Sequence, residues 1–132
     1  MDGRAPDRTI IATARDAAEL FIPAFAGAHR EVLLVAYLDA GRRLIKLTGM
    51  RDGGVGEIAL PVRAVVGEAL EVGAHGIVVA HNHPSGHADP SEQDRLATRM
   101  LAQAAGQLGI QLHDHLIFAA GECRSFRALG LL

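Results

Sequence analysis

Seven histidines stand in a chain of 132 residues that has no tryptophan and one tyrosine. Histidine is the side chain for proton transfer near neutral pH and for metal binding. Their densest stretch is His81-Asn82-His83-Pro84-Ser85-Gly86-His87, followed by Ala88-Asp89-Pro90-Ser91-Glu92-Gln93-Asp94. Side chains two apart on a strand share a face, so His81 and His83 converge if they end one. Asp94 lies close enough along the chain to fold back onto them. Two histidines, one carboxylate and a water make up a catalytic zinc site, whereas a structural site closes all four positions with protein atoms. Plainer readings compete. The histidines could be a hydrogen-bonded loop pair, and Ser91 to Asp94 fits a helix capping box. Asp89 as N-cap with Pro90 at the first helical position would instead leave Ser91 and Asp94 free. With each fixed position matched roughly one time in twenty, H-x-H-x(7)-S-x-x-D arises on the order of once per thousand such chains.

The elements that must position these residues alternate between strand and helix. Residues 1–12 read as a flexible N-terminal tail ahead of a single domain over 13–132. Arg15 to Ala26 has helical apolar spacing, with Pro23 placing its second half in doubt. Val32 to Leu38 is a continuous apolar run of strand length, hence a buried strand. The short turn Asp39 to Arg42 makes Arg43–Leu47 its antiparallel partner. A loop at Asp52-Gly53-Gly54 and a short strand from Glu57 to Leu60 follow. Val62 to Val72 is helical, with Gly73 as its C-cap. Gly76 to Ala80 is a second buried strand that delivers His81 and His83 to its end. A long helix is expected from about Pro90 to Leu108, then a strand within Ile110 to Phe118, a break at Gly121 and a short helix over Arg124–Leu129. This order gives an α/β layered fold.

Composition excludes several classes. Thirteen Lys+Arg against fifteen Asp+Glu leave a net charge of −2, without the basic excess of a dedicated nucleic-acid binder. The single cysteine, Cys123, makes no internal disulfide and no cysteine-based zinc site, and its expected role is structural. A zinc deaminase needs H-x-E and P-C-x-x-C, which this chain cannot supply. No export signal or membrane-length apolar run is visible, so a cytoplasmic protein without membrane contact is expected.

On His81-Asn82-His83-Pro84-Ser85-Gly86 and the Ser91/Asp94 spacing, the chain resembles the JAMM (MPN/JAB) metalloproteases, and more closely the bacterial RadC proteins. Further similarities are Glu31 before the strand ending Leu38-Asp39, Arg63, Asp114-His115, Ser125-Phe126-Arg127 and Gly130. The resemblance spans about Thr13 to Leu132. Departures are His87 and Ala88, where the family often has Asp-Pro, and Val62, where a proline usually precedes the arginine. The helix-hairpin-helix region of full-length RadC proteins is not expected in this chain.

The resemblance implies a JAB/MPN (cytidine-deaminase-like) layered fold, a mixed β-sheet flanked by helices. It also implies one zinc ion held by His81, His83 and Asp94. Glu31 would be general base and Ser91 the donor to a developing oxyanion, in hydrolysis of a peptide or isopeptide amide. From its residue type alone, Glu31 would be a solvated charge. The implied partner is a peptide or protein substrate, with ubiquitin-like proteins among the candidates. The alternative is a RadC-type DNA-transaction accessory protein with little or no protease activity, and a non-catalytic MPN scaffold ranks last. Asn82 and Ser85 would shape the loop or hydrogen-bond around the metal. His113 and His115 are expected on one side of a strand, as a second metal site or as buried supports. Arg63 would bind a substrate anion or form a surface salt bridge. His87 could touch substrate or compete as a ligand; His29 and His75 are expected to be exposed.

Overall fold

The structure, a computed structural model, describes residues 9–51 and 60–132. The expected loop at Asp52-Gly53-Gly54 and the body of the short strand from Glu57 lie outside the described residues, as does most of the expected N-terminal tail. Ile11, within that expected tail, is part of the core at 1% exposure, and Ile10 bridges to Arg43.

Helix α1 (Ala14–Phe25) precedes strands β1 (Val32–Leu38) and β2 (Leu44–Arg51); helix α2 (Val62–Val72) leads to β3 (Gly76–Asn82). Helix α3 (Glu92–Gln107) then leads to β4 (Gln111–Ala119) and β5 (Glu122–Ser125). The five strands form one mixed sheet in the order β2-β1-β3-β4-β5. All neighbours are antiparallel except β3 and β4, which are parallel and joined through α3. Both sheet faces are covered, which is why β1 and β3 read as unbroken apolar runs. On one face Leu33, Val35, Tyr37, Ile77 and Val79 pack with Val65 and Ala69 of α2 and Leu101 and Ala105 of α3. On the other, Leu34, Ala36, Val78, Ala80 and Leu116 pack with Ala17 and Phe21 of α1. The expected mixed sheet flanked by helices is therefore present. Among the described residues no helix is long and apolar enough to cross a membrane.

Local chemistry explains the helix ends. Thr13 caps α1: its hydroxyl accepts from the Asp16 N–H at 3.1 Å, and the Asp16 carboxylate accepts from the Thr13 N–H at 3.2 Å. Pro23 lies inside this helix yet does not end it before Phe25; in the last turn its missing N–H removes little of the ladder. Gly73 closes α2 in the left-handed conformation, φ 72°, as the sequence implies.

Three expectations need correction. The long helix starts at Glu92, with Ser91 rather than Asp89 as its N-cap. Its capping box is built from Ser91 and Asp94, so neither is left free by a competing cap. The expected terminal helix over Arg124–Leu129 does not form. Ala120 and Gly121 take φ 49° and 79°, the positive values of a tight hairpin turn, and this pairs Glu122–Ser125 with the end of β4. Last, His113 and His115 do not share a side of their strand. The β3/β4 register shifts between Ile77 and Val78, which face Leu112 and Asp114. The extra residue of this bulge breaks the alternation, so His115 lies against His81 while His113 lies against Arg42.

Candidate metal centre

The site forms where three elements end together. His81 is the penultimate residue of β3, His83 follows its end, and Asp94 lies in the first turn of α3. Glu31 directly precedes β1, which runs antiparallel beside β3 with Leu33 opposite His81. The ligand atoms of Glu31, His81 and His83 all lie within 4.8 Å of one another, so these three side chains could hold a metal ion. The His81 and His83 Nε2 atoms are 2.8 Å apart. The Asp94 carboxylate faces both, with Oδ1 3.5 Å from His81 Nε2 and Oδ2 3.4 Å from His83 Nε2. Glu31 Oε2 lies 3.9 Å from His81 Nε2.

The strand and loop chemistry that sets this arrangement is visible in Asn82. Its neighbours on the chain, His81 and His83, turn toward the metal-type cluster, and its own amide reaches β1. There Asn82 Oδ1 accepts from the Val32 N–H at 2.7 Å, and its Nδ2 donates to the Arg30 carbonyl at 2.9 Å. The two bonds straddle Glu31 and fix its backbone beside the histidines. The residue expected to shape the metal loop therefore acts mainly on the strand that carries Glu31. The His83 ring is held by its own loop: Nδ1 lies 2.7 Å from the His87 carbonyl. A carbonyl only accepts, so Nδ1 carries the proton, and the neutral ring presents a bare electron pair at Nε2. His87 thus serves through its backbone, while its ring is exposed.

Electrostatics favour a cation here. Burial pushes the Asp94 carboxyl up, but His81, where its ring is protonated, and the N–H and hydroxyl of Ser91 outweigh this and hold it well below the usual carboxylate range. Asp94 is therefore an anion at neutral pH. Its two oxygens offer about four lone-pair positions. One accepts from the Ser91 N–H at 2.9 Å while both remain turned toward the histidines. Capping the helix and facing the cluster are not rival roles. Ser91 Oγ accepts from the Asp94 N–H at 3.0 Å, and its O–H reaches the Asp94 carboxylate. Zinc–ligand bonds of about 2.0–2.1 Å put tetrahedral ligand atoms roughly 3.3 Å apart, close to the two Asp94 spacings. A cavity of about 90 Å³ lined by Leu33, Leu60, His81, Asp94, Ala97 and His115 opens beside the cluster.

The other singled-out residues lie elsewhere. His29 and His75 are exposed, as expected, and Arg63 is on the exposed face of α2. His113 belongs to the opposite sheet face. Sequence reasoning gave His115 no definite role; it is buried behind His81, with its Nε2 2.7 Å from His81 Nδ1. Burial above all holds the His115 ring well below the ordinary histidine value.

A mixed sheet covered on both faces, with a Glu/His/His cluster at the ends of adjacent strands, defines a domain of the JAB/MPN type. The chain belongs to the RadC-like JAB domain family, which matches residues 11–131. It is also similar to a UPF0758 protein of Actinobacillus pleuropneumoniae serotype 5b (strain L20), with 42% identity over 98 residues. That match covers 74% of this chain and 44% of the relative, so the shared region spans less than half the length of that curated protein.

Proposed function

We propose that the protein is a zinc-dependent metallohydrolase of the JAMM type, acting on a peptide or isopeptide amide. The observation that carries this reading is the convergence of two histidine Nε2 atoms and two carboxylates at the ends of β1, β3 and the loop into α3. His81, His83 and Asp94 would hold the ion. Zinc bound there would supply Lewis acidity and lower the pKa of a coordinated water to about 7. Glu31 sits at the same opening, held from behind by Asn82. Its carboxylate takes the proton of the attacking water and hands it to the leaving amine. The O–H of Ser91, turned from Asp94, would donate to the oxygen that gains charge as the amide carbon becomes tetrahedral. An open groove of about 620 Å³ runs past His83 along Ile22, Phe25, Pro84 and Phe118, which suits an apolar side chain of an extended substrate.

The test compares wild type with Glu31→Gln, both zinc-loaded, on a peptide library and on ubiquitin-like fusion substrates. Wild type should cleave a subset, and the variant should bind zinc but turn over about 10²–10⁴-fold more slowly. Equal rates for the two proteins would reject Glu31 as the base. A wild type that takes up no zinc on reconstitution rejects the metallohydrolase reading itself.

A further inference from the structure

We infer that Thr98 and His115 form a hydrogen-bond chain of fixed polarity that holds His81 in the tautomer whose Nε2 faces the metal position. This rests on the metal reading above and assigns two positioning residues behind the ligands.

The polarity follows from counting hydrogens. Thr98, in the second turn of α3, has one hydroxyl hydrogen, and Oγ1 lies 2.6 Å from the Asp94 carbonyl oxygen. A carbonyl cannot donate, so that hydrogen points to Asp94. The same Oγ1 is 2.7 Å from His115 Nδ1. With its hydrogen already used, the hydroxyl accepts there, and His115 Nδ1 must be the donor. His115 is 2% exposed, and no carboxylate bonds its ring among the described residues. In this buried, neutral ring the proton on Nδ1 leaves Nε2 as an acceptor. Nε2 faces His81 Nδ1 at 2.7 Å, so His81 carries its hydrogen on Nδ1. The neutral His81 ring then presents a bare electron pair at Nε2. The assignment comes from the partners of each atom, as tautomers must.

The same conclusion holds for His83 through the His87 carbonyl. The two electron pairs are thus aimed at each other across 2.8 Å, which is unfavourable until a cation lies between the rings and carboxylates. The chain also fixes orientation. His115 stacks on Phe126 with ring centroids 4.5 Å apart and planes 11° apart. Phe126 is fully buried, and its N–H donates to the His115 carbonyl at 2.9 Å. Because the chain starts at the carbonyl of Asp94, the helix turn carrying one proposed ligand sets the proton position on another. Ligand histidines in metal sites commonly lean on a carboxylate or a carbonyl; here the support is a second imidazole whose direction is set by a threonine.

The variants His115→Phe, His115→Gln and Thr98→Val separate the outcomes, with zinc affinity read by chelator competition. His115→Phe keeps the stack on Phe126 but removes the acceptor, and should weaken zinc binding about 10–100-fold. His115→Gln places an amide oxygen near the lost Nε2 and should recover part of that loss. Thr98→Val should weaken binding less than His115→Phe. In zinc-loaded wild type, nitrogen-15 NMR of the imidazoles should find the proton on His81 Nδ1 and none on His115 Nε2. This last reading needs no variant, so misfolding of any substitution does not remove the test. A proton on His115 Nε2 overturns the inference, as does unchanged zinc affinity in folded His115→Phe. A wild type that binds no zinc sinks the metal reading instead, so the two failures are distinct.

Discussion

His113 and His115 sit two positions apart on one strand and do different work. His115 faces α3 and leads through His81 to a pair of carboxylates. His113 faces α1 and meets arginine. Its Nδ1 is 3.1 Å from Arg42 Nη1, and its carbonyl accepts from Arg127 Nε at 2.7 Å. Beside it Asp114 accepts the His115 and Arg127 N–H groups and the Ser125 hydroxyl, so its carboxylate ties β4 to the C-terminal turn. The His113 ring lies over Gly76, where an added Cβ would overlap it. Burial, then the charges of Arg42 and Arg127, brings His113 down to about 4. A one-residue bulge separates a metal-type histidine from a packing histidine. Residue type did not decide between them; the face of the sheet did.

The largest effect is expected on the metal side. His83→Ala should lower zinc affinity by more than the roughly 10–100-fold that loss of an outer partner costs. Its side chain is only partly buried and His83 opens a loop, so thermal unfolding of the metal-free protein should change by less than about 1 kcal/mol. Chelator competition and calorimetry measure the two effects. Undiminished zinc binding would remove His83 from the ligand set.

The next effect lies on the packing side and should be the mirror image. Gly76→Ala drives a methyl group into the His113 ring. The ring is buried and bonded to Arg42, so it yields at a cost of about 1–3 kcal/mol. Zinc affinity should stay within about twofold, because Gly76 is at the other end of β3 from His81. A large loss of zinc binding in the folded variant would show that the two faces are coupled through β3.

Much of this was legible in the sequence. The apolar run Val32–Leu38 and the helical spacing over 62–72 marked their elements, and the spacing of His81, His83 and Asp94 marked the cluster. What was not legible has physical reasons. Leu112-His113-Asp114-His115 looks like ordinary alternation, because a bulge is set by how β4 pairs with β3 and leaves no local mark. Arg124–Leu129 has the composition of a helix, but the hairpin turn at Ala120-Gly121 commits Glu122–Ser125 to pairing with β4. Ser91 and Asp94 were weighed as either cap or site residues, although a carboxylate with two oxygens can face both ways. Glu31 stood out only through resemblance. What places it is the amide of Asn82, fifty residues away from Val32 in sequence, and nothing local announces such a pair.

The remaining expected effect is the acid sensitivity of the packing histidine. Its value in the folded protein, about 4, lies below the ordinary 6.5. Between these values the unfolded chain binds a proton that the folded one refuses. Stability from this group is therefore complete above about pH 6.5 and is lost as pH falls toward 4. The shift corresponds to a few kcal/mol at most, and on the order of 2 kcal/mol is expected across the window. His115, also lowered by burial, adds a slope of the same sign, so the wild-type curve alone does not isolate His113. The difference between wild type and His113→Gln does. Urea unfolding at pH 7.5 and at pH 4.5 should show the variant losing less stability on acidification. Parallel curves for the two proteins would mean that His113 titrates alike in the folded and unfolded chains, and that Arg42 and Arg127 do not hold it neutral.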